Sequence, residues 1–279
     1  MKSKPEQLYL NLLKKTLAFT LWPEPPIDLG KYNYSLNPIK RSVFSLIGFI
    51  LRRSRFTLCE KRALTETERL EGKIWPPGYG DTMIGIKRLE NIQDCVETVI
   101  REKVEGDFIE TGVWRGGACI FMRAILAAHQ VDNRKVFLAD SFEGLPEPDP
   151  DKWPGDADDK HFAYDFLAVS QEEVENNFRK YDLLDDQVVF IKGFFKDTLP
   201  NAPIGKLSIL RLDGDMYEST MVALENLYPK LTPGGFCIID DFSLDGAKAA
   251  VQDYRRTHGI DEKIENIDWT GVYWRKARL

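Results

Sequence analysis

LSILRLDGDMYE (residues 207–218) and, further on, GGFCIIDDF (234–242) each carry a short apolar run that stops at aspartates. Runs of this length, Leu207–Leu212 and Gly235–Ile239, read as strands buried on both faces. Tyr217–Leu231, between them, reads as a helix, so the two strands lie parallel with a helical crossover. Neighbouring strand ends then deliver Asp213 and Asp215 from one side, and Asp240 and Asp241 from the other. Carboxylates brought so close repel and raise one another's pKa. A hard divalent cation resolves the conflict, since Mg²⁺ takes a few carboxylates plus water. Neutralisation by Lys or Arg is the alternative. Tyr217 and Glu218 open the following helix, where an acid is favourable.

Upstream, the same alternation of strand and helix continues. Gly85–Arg101 reads as a helix, with Ile86, Leu89, Ile92 and Val96 near helical spacing. Asp107–Thr111 is a strand ending at Gly112, and Gly117–Ala128 a helix. Lys135–Ala139 is a strand ending at Asp140, Gln171–Tyr181 a helix and Gln187–Lys192 a strand. Downstream, Leu244–Arg256 is a helix, and Glu262–Asn266 and Gly271–Arg275 are two last strands. Only Ile267–Thr270 separate these, so they pair as an antiparallel hairpin. The expected class is α/β, with a mostly parallel sheet covered on both faces.

Ligands bind such sheets at the carboxyl ends of the strands. There the first strand brings Glu110, Thr111 and Gly112, and glycine lets the chain turn tightly and approach a ligand closely. This is not the dinucleotide fingerprint, which argues against an NAD-dependent dehydrogenase. Asp140 follows the second strand; its two acceptor oxygens suit a pair of ribose hydroxyls, or else cap its own turn. In Gly193–Thr198, Phe194 and Phe195 either flank a flat ring or enter the core. His161 lies in an acidic segment that should overhang this edge, as a substrate contact, as a general base, or simply solvated.

Of the 279 residues, 43% are hydrophobic and 29% charged, with a net charge of −6. The core is large enough to fold without disulfides, and an acidic chain repels phosphate backbones, so nucleic acid is not an expected partner. Asp149, Asp151, Asp156, Asp158, Asp159 and Asp165 crowd one stretch, whereas Lys40–Arg62 is basic. Cys59, Cys95, Cys119 and Cys237 are far apart and lack metal-ligand spacing, as expected of reduced thiols in a cytoplasmic protein. Leu8–Leu21 is broken by Asn11, Lys14 and Lys15 and does not read as a secretory signal.

Residues 1–81 read as a helical arm, with helices over Leu8–Leu17 and Arg62–Leu70. Trp75–Gly80 is a loop, with Tyr79 a candidate lid residue. Val43–Leu51 is apolar and lies between basic residues. It is too short to span a bilayer. It either packs on the body or a second subunit, or makes a peripheral membrane contact through residues 40–55.

Six segments share one further property: TMIGIKRLENIQ (82–93), IETGVWRGGACIFMRAIL (109–126), ADSFEGLP (139–146), GFFKDTLP (193–200), LRLDGDMYESTMVALENLYPKLTPGG (210–235) and IIDDF (238–242). Together and in this order they resemble the macrocin O-methyltransferase family, whose members methylate sugar hydroxyls in macrolide and aminocoumarin biosynthesis. The resemblance runs from Thr82 to the C-terminus, with a fainter match at LYLNLLKKTL (8–17). The stretch 29–61 departs from the pattern.

The resemblance implies a class I, Rossmann-like S-adenosylmethionine-dependent methyltransferase fold over residues 82–279: a mostly parallel seven-stranded sheet with a C-terminal antiparallel hairpin. It implies Mg²⁺ on Asp213, Asp240 and Asp241. It implies cofactor contacts at Thr82, Met83, Glu110, Thr111, Gly112, Asp140, Ser141, Phe142, Phe194, Lys196 and Asp197. It names Asp213 or His161 as the base, and a small-molecule or glycan substrate. It also implies a homo-oligomer whose arms help cover the site. A non-catalytic protein that binds the cofactor or a glycan is the other reading, and intact Asp213, Asp240 and Asp241 argue against it.

Overall fold

The computed structural model describes residues 4–29, 38–75 and 77–278. Residues 30–37 of the arm and Pro76 of the expected lid loop lie outside these. The arm comprises α1 (Pro5–Leu17), a short antiparallel pair β1 (Ile27–Asp28) and β2 (Cys59–Glu60), α2 (Pro38–Arg53) and α3 (Glu66–Glu71). Then follow α4 (Ile86–Arg101), β3 (Asp107–Thr111), α5 (Gly117–Ala128), β4 (Val136–Asp140), α6 (Gln171–Lys180), β5 (Val188–Lys192) and α7 (Phe195–Thr198). The chain closes with β6 (Leu207–Leu212), α8 (Tyr217–Leu227), β7 (Leu231–Ile239), α9 (Asp245–His258), β8 (Glu265–Asn266) and β9 (Val272–Arg275).

Seven strands form one sheet in the order β5-β4-β3-β6-β7-β9-β8. The first five are parallel, and β9 runs antiparallel to both β7 and β8. Successive strand residues face opposite sides, and the core divides accordingly. Phe108, Leu138, Ile209 and Ile238 pack under α4, α5 and α6. Ile109, Phe137, Leu210 and Ile239 pack under α8 and α9. The chain leaves β3 for β4 and β5 on one side, then returns to β6 and β7 on the other. The carboxyl ends of β3 and β6 therefore flank the topological switch point, where such sheets bind ligands.

Several boundaries move for local reasons. α3 begins at Glu66 rather than Arg62 because Thr65 and Glu68 form a capping box: Glu68 N–H donates to Thr65 Oγ1 at 3.2 Å, and Thr65 N–H to Glu68 Oε2 at 2.8 Å. α8 ends at Leu227 rather than Leu231, because Pro229 has no N–H to give and the chain tightens into a 3₁₀ turn. GFFKDT, expected as a turn, contains the short helix α7.

The two ends of the arm behave differently. Leu10, Leu13 and Leu17 of α1 are buried in the same cluster as α4 and α5. α2 turns apolar side chains outward: Ile39 is 78% exposed and Leu46 63%, with Val43, Phe49 and Ile50 also exposed. No helix among the described residues is long and apolar enough to cross a membrane.

Candidate active site

An open cleft lies at the switch point, the place where such sheets take small-molecule ligands. β3 contributes Gly112, β4 Asp140 and Ser141, the turn after β5 Phe194 to Lys196, and β6 Asp213 to Asp215. Gly112 has φ +84, and a Cβ there would stand 1.6 Å from the Asp213 carbonyl oxygen. Only glycine lets the ends of β3 and β6 approach this closely.

Asp140 holds the opposite wall together. Its Oδ2 accepts the Val113 N–H and its Oδ1 the Phe142 N–H, both at 2.7 Å. Burial pushes its pKa up, and the backbone N–H donors of Phe142 and Val113 oppose the rise. The carboxylate caps its turn and lines the cleft at once, so both roles weighed for it are open to the same side chain. Phe142 is different: its ring is buried against Phe190, 5.9 Å between centroids, and is part of the core.

Three carboxylates, Asp213, Asp215 and Asp241, offer oxygens all within 4.8 Å of one another. Burial, reinforced by Asp240, pushes Asp213 well up; burial, reinforced by Asp215 and Asp213, does the same to Asp241. Asp215 rises to about 6, through burial against an opposing pull from His161. Asp240, expected among the metal ligands, stands outside this group. One of its oxygens pairs with Arg88 and the other with Arg211. Asp215 stands in the group beside Asp213 and Asp241.

Arg211 is the hub beneath the cluster. Its guanidinium is 1% exposed, pairs with Glu110 and Asp240, and donates to Asp213 Oδ2 at 2.8 Å. One buried cation thus joins β3, β6 and β7 at their functional ends, and its several acidic partners offset its desolvation. Arg88 extends the network, donating from Nε to Asp268 Oδ2 at 3.0 Å in the turn between β8 and β9.

The acidic segment crosses to the same edge. Asp156 is buried and caps α8 from far away in sequence: Oδ1 accepts the Tyr217 N–H at 2.6 Å and Oδ2 the Glu218 N–H at 3.0 Å. Beyond it, Asp159 bonds His161 Nδ1, and the His161 pKa is raised. The Asp159 hydrogen bond is the main cause, burial opposes it, and the charges of Asp215 and Asp159 add to it. Trp75, in the loop expected as a lid, packs edge-on near His161, Tyr164 and Phe166. Arg115 ties that loop down, donating to the carbonyls of Gly78 at 2.9 Å and Gly80 at 2.8 Å.

Of the residues singled out in the sequence, Met83, Gly112, Asp140, Ser141, Phe194, Lys196 and Asp213 line the cleft. Thr82, Glu110, Thr111, Phe142 and Asp197 do not: Glu110 is taken by Arg211 and Cys119, Thr111 is buried, and Asp197 is exposed on α7. Glu218, Ser219 and Val222 of α8 line the cleft unforeseen as ligand contacts. Their helical spacing just after Asp213 was the available signal. Arg211 shares a strand face with Asp213, a period-2 cue. Arg88 has no local cue.

A seven-stranded sheet of this order, its last strands antiparallel and its cleft at the switch point, defines the class I methyltransferase fold. The O-methyltransferase NovP has it, at a TM-score of 0.82 and 45% identity over 98% of this chain and 100% of that one. The calicheamicin methyltransferase CalS11, 18% identical at a TM-score of 0.55, shares the fold. Residues 6–276 match the model of the macrocin-O-methyltransferase family, arm included, and the chain belongs to that family of enzymes. It is 46% identical over 276 residues to the 8-demethyl-8-(2,3-dimethoxy-alpha-L-rhamnosyl)-tetracenomycin-C 4'-O-methyltransferase of Streptomyces olivaceus, spanning 99% of this chain and 95% of that one. It is 48% identical over 273 residues to the demethyldecarbamoylnovobiocin O-methyltransferase of Streptomyces niveus, spanning 97% and 94%.

Proposed function

We propose that this chain transfers a methyl group from S-adenosylmethionine to a sugar hydroxyl of a glycosylated natural product, with Mg²⁺ as a resident ion. The observation that carries the reading is the group of Asp213, Asp215 and Asp241 at the switch-point cleft. Three half-buried carboxylates with raised pKa values fit a hard dication, whose charge would remove their mutual repulsion. Mg²⁺ held there would lower the pKa of an acceptor hydroxyl and orient it. S-adenosylmethionine would supply the methyl electrophile.

The remaining work falls to side chains. Arg211 fixes Asp213 through its Oδ2. Asp140 offers its oxygens to the ribose end of the cofactor, and the turn at Phe194 borders the base. Asp159 engages Nδ1 of His161, which leaves Nε2 to take the acceptor proton. Asp213 is the alternative base, but its bond to Arg211 and its place among the acids suit it better as a ligand. Trp75 and the loop tied by Arg115 shield the site from water.

The exposed apolar face of α2 is covered, on this reading, by a second copy of the chain.

Incubation with trideuteromethyl-labelled S-adenosylmethionine and a panel of glycosides that includes demethyldecarbamoylnovobiocin tests the proposal by mass spectrometry. One labelled methyl on a sugar oxygen, lost on chelation and restored by Mg²⁺, is expected. Transfer unaffected by chelation would remove the metal from the account, and transfer to carbon or nitrogen would remove the reaction type.

A further inference from the structure

Glu218 stands in the first turn of α8, on the wall of the cleft, with 9% of its surface exposed. Asp156 holds its backbone N–H, yet its carboxylate has no hydrogen-bonding or ionic partner among the described residues. It is also apart from the three acids that gather nearby. Its oxygens are not sealed in the interior and reach the cleft. A ligand there can bring the donor that the protein does not supply.

The surroundings define that ligand group. Gly214 sits between α8 and α7: a Cβ on it would lie 3.1 Å from Cβ of Ser219 and 3.4 Å from the Phe195 ring. Val222, one helical turn beyond Glu218, and Phe195 line the same cleft. Apolar side chains with a carboxylate beside them suit an aromatic ring bearing an edge amino group. The strand order β5-β4-β3 supplies the direction. With the ribose at Asp140 after β4, the base falls toward Phe194 and Phe195 after β5, and the amino-acid end toward Gly112 after β3.

We propose that Glu218 accepts a hydrogen bond from the 6-amino group of the cofactor's adenine and selects for it. This rests on the proposal that the cleft holds S-adenosylmethionine.

Calorimetric titration of S-adenosylhomocysteine, and of its purine-riboside analogue with hydrogen in place of the 6-amino group, tests it without any acceptor. Wild type should bind the analogue at least about tenfold more weakly, the size of a hydrogen bond to a charged group. Glu218→Ala should bind the parent compound about tenfold more weakly and lose most of the discrimination. Glu218→Gln keeps the volume and one acceptor oxygen, and should fall between, which preserves the test if the alanine variant fails to fold. Unchanged discrimination in both variants, with wild type binding normally, would overturn the role of Glu218 alone. Absence of binding to wild type would overturn the cofactor reading beneath it.

Discussion

Nδ1 of His161 lies 2.7 Å from Oδ2 of Asp159, and the His161 backbone N–H donates to Oδ1 of the same carboxylate at 2.8 Å. Asp159 thereby fixes both the ring and the chain that carries it, and its hydrogen bond is the main cause of the raised His161 pKa. A general base works in its neutral form. The methyl-transfer rate should therefore rise with pH through a midpoint above that of an ordinary histidine. Asp159→Asn should move the midpoint downward and lower the plateau about tenfold or more. The stability sign runs the other way. A raised folded pKa contributes stability that is full below the unfolded value, about 6.5, and lost as pH rises through the folded value. A pH–rate profile unaltered by Asp159→Asn would show that this pair does not act.

The acidic group should make the metal-free protein sensitive to pH. Asp215 is raised to about 6 by burial, and Asp213 and Asp241 are raised too. For a carboxylate with a raised folded pKa, stability falls as pH climbs from the unfolded toward the folded value. Asp215→Asn should accordingly raise the melting temperature of chelated protein at neutral pH by about a few degrees. Mg²⁺ should stabilise wild type by binding the folded state, and the gain should shrink below about pH 6 as Asp215 protonates. Calorimetric melts across pH, with ion or chelator, read both effects.

Arg211→Met should destabilise by about 3–5 kcal/mol, because it leaves buried Glu110 without its guanidinium partner and Asp240 with Arg88 alone. Arg211→Lys should restore only part of this, since an ammonium cannot reach three carboxylates with a planar fork. Denaturant melts measure the loss, and equal stability for all three proteins would show that the network contributes nothing net.

Most of the sheet was legible because its strands are short apolar runs and its helices amphipathic. LSILRL and GFCII needed no partner to be read. The acid cluster was legible as a neighbourhood but not in its membership. Which of four aspartates gather depends on Arg88, contributed by α4 from 152 residues before Asp240, and no local pattern reports that. Glu110 read as a ligand contact for a similar reason: its strand position is right, but Arg211 and Cys119 claim its oxygens. Asp156 read as one acid among many in a charged run. Its role as the cap of α8 exists only once the loop folds back.

Asp156→Ala removes a cap from α8 and the anchor of the segment that carries Asp159 and His161. It should cost about 1–2 kcal/mol and loosen the chain around the exposed Lys152 and Lys160, making both better trypsin sites. Faster cleavage there is the expected pattern. Cleavage at the wild-type rate would mean that the segment is held elsewhere.

The apolar face of α2 should be buried between copies in solution. Light scattering should give a multiple of the chain mass, reduced by Leu46→Glu or Phe49→Glu, both exposed in the single chain. A monomeric wild type would leave that face to another partner.

Calorimetric titration of wild-type protein with S-adenosylhomocysteine tests the central claim most directly, because it needs no acceptor. The account predicts saturable binding of one molecule per chain, lost when Gly112→Val drives a side chain into the Asp213 carbonyl at the junction of β3 and β6. No heat of binding to folded wild type, with or without Mg²⁺, would contradict it.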